Sequence, residues 1–150
     1  MKKENVFTAI INIVVLTIII LAITYLSINQ KKLVGPLLFL TGIISLMPAL
    51  LFKIPFKLLK SDMVFGVIDN GILVVFAMIG AELFGIFGAI VGGAVGNAIT
   101  DAFAGIFEGL EVQKMKNGKR IALSVAIGKL AGCLFGAGVV LTIGWTILGL

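Results

Sequence analysis

The chain has 150 residues and a mass of 15.8 kDa; 60% of them are apolar, 13% are charged and the mean hydropathy is +1.22. An average soluble chain carries about 25% charged residues, so this one cannot cover a globular surface with polar groups. The composition excludes a soluble domain and a disordered one, and with so few charges a net charge of +5 does not describe a nucleic-acid reader. An all-α, polytopic integral membrane protein is expected, as a single domain over residues 1–150.

Five apolar stretches follow one another. The first spans 6–27 and is rich in Ile, Val and Leu; it is too long for the ~7–15-residue core of a signal peptide and reads as a retained membrane helix. The second spans 33–52 and contains Pro36 and Pro48. A basic segment at 53–60 carries Lys53, Lys57 and Lys60 at helical spacing and is expected to lie along the interface. The third and fourth stretches, 63–80 and 84–110, form a hairpin with its tip near residue 83, where Glu82 would be wet. A loop at 111–120 leads to the fifth, 121–150.

Lysine and arginine placement sets the orientation. With the N-terminus in the cytoplasm, nine cations lie inside (Lys2, Lys3, Lys53, Lys57, Lys60, Lys114, Lys116, Lys119 and Arg120) and two outside (Lys31 and Lys32). The expected location is a prokaryotic cytoplasmic membrane. The basicity then serves topology and attraction to anionic lipid, and the partners expected are the bilayer and further copies of the chain, not nucleic acid.

The last three stretches are rich in small residues. In the fourth, Gly85, Ala89, Gly93, Asn97, Asp101 and Gly105 recur every four residues, as do Gly88, Gly92, Gly96, Thr100, Ala104 and Glu108. The fifth continues with Gly128, Gly132 and Gly136. Residues four apart share a helix face, and small residues there let backbones approach closely. Helix packing is the expected role of these eight glycines (85, 88, 92, 93, 96, 128, 132 and 136).

Ionisable residues at membrane depth cost at least ~2.5–3.5 kcal/mol each and mark functional sites by default. Asp69, Asp101, Glu108 and Lys129 fall inside the apolar stretches, with Asn70 and Asn97 beside them. Counting ~1.5 Å per residue from the hairpin tip puts Asp69 at ~21 Å and Asp101 at ~27 Å below the outer turn. Lys129 lies ~13 Å in from the inner side, close to the same level. Three helices can thus converge polar groups on an inner cavity. Hard divalent cations take oxygen ligands, and a desolvated aspartate can carry a proton. The alternative is a buried Asp–Lys129 pair that fixes helix packing, which leaves one carboxylate unexplained.

Histidine is absent, Cys133 is the single cysteine, and there is no H-E-x-x-H, G-x-S-x-G or P-loop pattern. No enzymatic activity and no covalent cofactor are expected. Nothing in the residues points to lipid or small-molecule handling.

Two blocks resemble a known family. Residues 64–77, VFGVIDNGILVVFA, and 96–109, GNAITDAFAGIFEG, resemble the first two helices of the vacuolar iron transporter family, of the types G-A-N-D-G-L-V-T-T-F-A and A-N-L-x-A-D-A-x-S-M-x-x-G-E. The likeness covers residues 64–112. It implies a five-helix, dimeric exporter that exchanges ferrous iron or manganese for protons, with Asp69 as the metal-coordinating, proton-coupled aspartate and Asp101 as that of the second helix. The departures are specific. Gly105 stands where the family has methionine, Glu108 comes one position early, and the loop 111–120 replaces long cytoplasmic helices. Two helices precede the block and one follows it.

The expectation is therefore a small transporter or channel. Asp69, Asp101, Glu108, Asn97 and Asn70 would border a cation path, Lys129 would modulate its charge, and a divalent metal or a proton would be the transported substrate. The competing class is a non-catalytic membrane subunit or scaffold.

Overall fold

In the computed structural model, described for residues 6–27, 29–114 and 122–147 and for their side chains except at 6, 8, 9, 27, 105–114 and 147, every regular element is helical. They are α1 (Val6–Ser27), α2 (Lys31–Ile44), α3 (Met47–Leu51), a 3₁₀ turn (Phe56–Leu58), α4 (Lys60–Lys114), α5 (Ala122–Thr142) and a closing π turn (Ile143–Ile147). Three helical runs are long and apolar enough to cross a membrane: 31–51, 60–104 and 122–146. The apolar run within α1, Ile10–Leu26, is shorter. Large apolar side chains such as Phe7, Leu21, Ile86 and Phe87 stand exposed around the outside, as expected where lipid rather than water is the solvent.

The second apolar stretch is not one helix. It breaks at Ser45 and Leu46 and restarts as α3. Pro48 is the cause, because proline lacks an N–H and its ring clashes with the carbonyl four residues back. It sits in the first turn of α3, where that deficit is harmless. Two hydroxyls satisfy carbonyls near the break: Thr41 Oγ1 donates to Leu38 O at 2.8 Å and Ser45 Oγ to Gly42 O at 2.7 Å. The basic segment is also not an amphipathic helix. Ile54 N–H donates to Ala49 O at 2.8 Å, Lys53 has φ 53°, and Pro55 leads into a single 3₁₀ turn. A segment bounded by Pro55 is too short to propagate a helix. Leu59 turns inward instead and joins Ala49, Leu123 and Ile127 in a buried cluster at the start of α5, while Phe56 stays exposed.

α4 is a helical hairpin. The run is interrupted at Phe84 (φ −137°, ψ 16°) and Gly85 (φ 61°, ψ −146°). The dihedrals of Gly85 lie in a region essentially open only to glycine. Nothing lies within 4 Å of where a Cβ would sit on Gly85, so this glycine makes the turn and is not the packing residue its ladder position suggested. Beyond the turn the arms zip together antiparallel. Gly88 meets the Gly80 carbonyl, Gly92 the Phe76 carbonyl, and a Cβ on Gly96 would lie 3.0 Å from Leu73 Cα. The second arm continues helically to Lys114, into the stretch expected to be loop. Lys2 and Lys3, residues 115–121 and residues 148–150 lie outside the described residues.

α5 is the central element. On one side it runs parallel to the first arm of α4: Gly128 sits on Leu59 and Asp62, Gly132 on the Met63 carbonyl, and Gly136 on the Val67 carbonyl. On another side it runs antiparallel to α2, with Gly138 against Gly35 and Phe39, and with the Phe39 and Phe135 rings 4.9 Å apart at 45°. Gly93, in contrast, meets nothing nearer than Ala77 Cβ at 3.7 Å.

These contacts separate two kinds of glycine. Gly132→Ala forces its methyl into the backbone of Met63 and is expected to destabilise the fold by about 1–3 kcal/mol. Gly93→Ala meets only ordinary van der Waals neighbours and gains helix propensity of up to ~1 kcal/mol. Thermal unfolding of both variants in mild detergent checks this, with the melting temperature falling for the first and unchanged or raised for the second.

Candidate functional site

The hairpin register brings the polar residues of α4 to one level. Because Gly96 packs on Leu73, one turn further on Thr100 comes to lie opposite Asp69. The Thr100 hydroxyl is buried and contacts the half-buried Asp69 carboxylate at Oδ1. The same hydroxyl is 3.1 Å from Gly96 O and 3.0 Å from Asn97 O. A hydroxyl has one proton and two lone pairs. Toward an ionised Asp69 it can donate that proton. Toward a protonated Asp69 it can accept, donating instead to a carbonyl of its own helix. The contact therefore suits both protonation states.

Asp101 is placed differently. It is exposed, and its Oδ2 accepts a hydrogen bond of 2.9 Å from Asn97 Nδ2. One residue is 100° of helix rotation, so Thr100 faces the first arm while Asp101 faces outward. Around it, Ala98, Ile99, Ala102 and Phe103 are exposed as well. A carboxylate thus stands on an apolar face at about the level of Asp69, held by an asparagine of its own helix.

The remaining residues face α5. Asn70 Nδ2 donates to Cys133 O at 3.3 Å, so this amide ties the first arm to α5. Lys129 is half-buried, with Nζ 5.4 Å from the centroid of the Phe65 ring, within range of a cation–π attraction. Cys133 lies within electrostatic reach of both Asp69 and Lys129. The side chain of Glu108 lies outside the described residues. Among the described residues, no group of three or more acidic, cysteine or histidine side chains is gathered closely enough to hold a metal ion.

A further carboxylate belongs to this region. Asp62, in the first turn of α4, is 2% exposed and packs at Gly128 of α5, one turn along from the fully buried Ser124. The helix N-terminus favours negative charge there. Asp62, Gly66 and Asp69 follow at spacings of four and three, so they lie along one side of the first arm, where Asp62 and Gly66 meet α5 and Asp69 meets Thr100 of the second arm. Gly66 holds that face against Lys129 O and Cys133 N. The sequence carried this signal. An apolar stretch beginning at 63 leaves Asp62 just outside it, whereas α4 begins at Lys60.

No family model, curated protein or solved structure matches the chain.

Thr100 is the residue whose role is most open to direct measurement. Thr100→Val keeps the shape and removes the hydroxyl, leaving the Asp69 carboxyl without that partner at a cost of about 1–3 kcal/mol. Thr100→Ser restores the hydroxyl. Thermal unfolding in detergent should show a clear loss for valine and most of the stability regained for serine.

Proposed function

We propose that the chain is a small polytopic membrane transporter or channel that passes a cation, with Asp69 as the residue that binds it or exchanges it for a proton. The observation that carries this reading is the contact between Asp69 and the buried Thr100 hydroxyl at the closely packed centre of the hairpin. Structural aspartates at that depth are costly, whereas a carboxylate whose partner accommodates both protonation states suits an ion or proton relay. Asp62, two turns away on the same face, extends the row toward the end of the hairpin where Lys57 and Lys60 lie. Lys129 and Asn70, on or against α5, border the row from the side.

The full arrangement belongs to the same proposal. Five crossings with a cytoplasmic N-terminus are consistent with the relative directions of the helices: α2 against α5, α5 along the first arm, and the two arms against each other. The outward-facing Asp101 and Asn97 favour a homodimer or higher oligomer in which a second copy brings another carboxylate to the path. That also provides for the oxygen ligands a divalent substrate requires. The resemblance to vacuolar iron transporters would make that substrate a divalent metal exchanged for protons, with Gly105 supplying no thioether ligand.

The exposed apolar face around Asp101 also supports a second reading, a non-catalytic subunit that docks on a different membrane protein. Flux measurements separate the two. In liposomes holding only this chain, a pH gradient or a divalent cation gradient is expected to drive flux. Asp69→Asn is expected to lower that flux by at least tenfold, and Asp101→Asn to lower it while weakening self-association. Unchanged flux in Asp69→Asn sinks the assignment; no flux from the wild-type chain, together with a stoichiometric unrelated partner on mild purification, establishes the subunit reading.

A further inference from the structure

A groove of about 610 Å³ runs along the outside of the hairpin at its basic end. Lys57 and Lys60 border one end, Val64, Ile68 and Ile72 follow along the first arm, and Phe103 closes it from the second. Val64, Ile68 and Phe103 are each more than half exposed. Among the described residues, the lining contains two lysines and no carboxylate. The groove near the opposite end of the hairpin is lined by both Lys31 and Glu82, whose charges offset, and the described lining of the one at the turn is apolar.

Length, polarity and charge agree on one kind of occupant. From Lys60 to Ile72 the first arm rises ~18 Å, close to the ~15 Å of one leaflet of a ~30 Å hydrocarbon core. Amphiphiles with an acyl chain of that order and an anionic head would match the groove end for end. Lysines just outside the hydrocarbon attract anionic lipid, and their ammonium groups donate to phosphate oxygens. We propose that this groove binds an anionic phospholipid, its phosphate held by Lys57 and Lys60 and one acyl chain laid between the arms against Val64, Ile68, Ile72 and Phe103. The inference requires only that the hairpin sits in a bilayer, and it stands or falls separately from ion transport.

Native mass spectrometry of the full chain tests it, after equilibration in mild detergent with phosphatidylglycerol and phosphatidylcholine of identical acyl chains. Wild-type protein is expected to retain phosphatidylglycerol in preference. Lys57→Gln combined with Lys60→Gln should weaken that retention by roughly tenfold or more. Ile68→Trp, which fills the apolar part and keeps both charges, should weaken it as well. Lys31→Gln with Lys32→Gln, at the other end, should leave it unchanged. Equal retention of the two lipids, or phosphatidylglycerol binding that survives either groove variant, overturns the proposal. So does a groove that proves to be covered by a second copy, seen as a lipid-independent dimer lost in Ile68→Trp.

Discussion

At Gly88 the facing atom is the carbonyl of Gly80, at Gly92 that of Phe76, at Gly132 that of Met63 and at Gly136 that of Val67. These are contacts of backbone with backbone. In lipid no hydrophobic force drives helices together, so packing at close range must do so, and close range requires that no side chain intervene. The constraint is severe because the partner atoms cannot move. A flexible leucine tip can yield to an added methyl, but a helix carbonyl is held by its own hydrogen bond. Everything else in the fold follows from how these contacts fix two arms and α5 against one another.

They fix register first. A hairpin closed by Gly85 alone would pivot at its tip, whereas three glycines on the second arm, one turn apart, lock it at every turn. Thr100 comes next in that series and carries a hydroxyl where the others carry hydrogen. Its position opposite Asp69 is thus a consequence of glycine spacing. The same logic operates on α5, where Gly128, Gly132 and Gly136 admit the first arm at Asp62, Met63 and Val67. A polar row placed by backbone contact is held more rigidly than one placed by side chains.

Much of this was legible in the amino-acid sequence. The apolar stretches located α1, the hairpin and α5, and the expected tip at residue 83 lies beside the observed turn at Phe84 and Gly85. The spacing-four ladders marked most of the packing glycines. Three things were not legible, each for a physical reason. Hydropathy does not register the break at Ser45, because Pro48 is as compatible with an apolar run as with a helix start. Spacing does not distinguish Gly85, which turns, from Gly88, which packs, since both have the same side chain and only the backbone dihedrals differ. Periodicity gives the depth of Asp101 but not its direction, because rotation about the helix axis is set by the first arm, through Thr100.

That direction carries the most consequence. An aspartate on an apolar, outward face at membrane depth is not satisfied by Asn97 alone, because one amide donor meets only part of what a carboxylate's two oxygens accept. Facing hydrocarbon, the remainder would carry a penalty of at least ~2.5–3.5 kcal/mol. Asp69 avoids this by facing inward to Thr100, and Asp62 by packing against α5. Asp101 has no comparable shelter within the chain's own described elements, and the exposed Ala98 and Ala102 beside it give a neighbouring backbone room to approach. Small residues flanking an exposed polar group are what an interhelical contact in a membrane requires. In the oligomer proposed above, this is the face on which a second chain would complete the site.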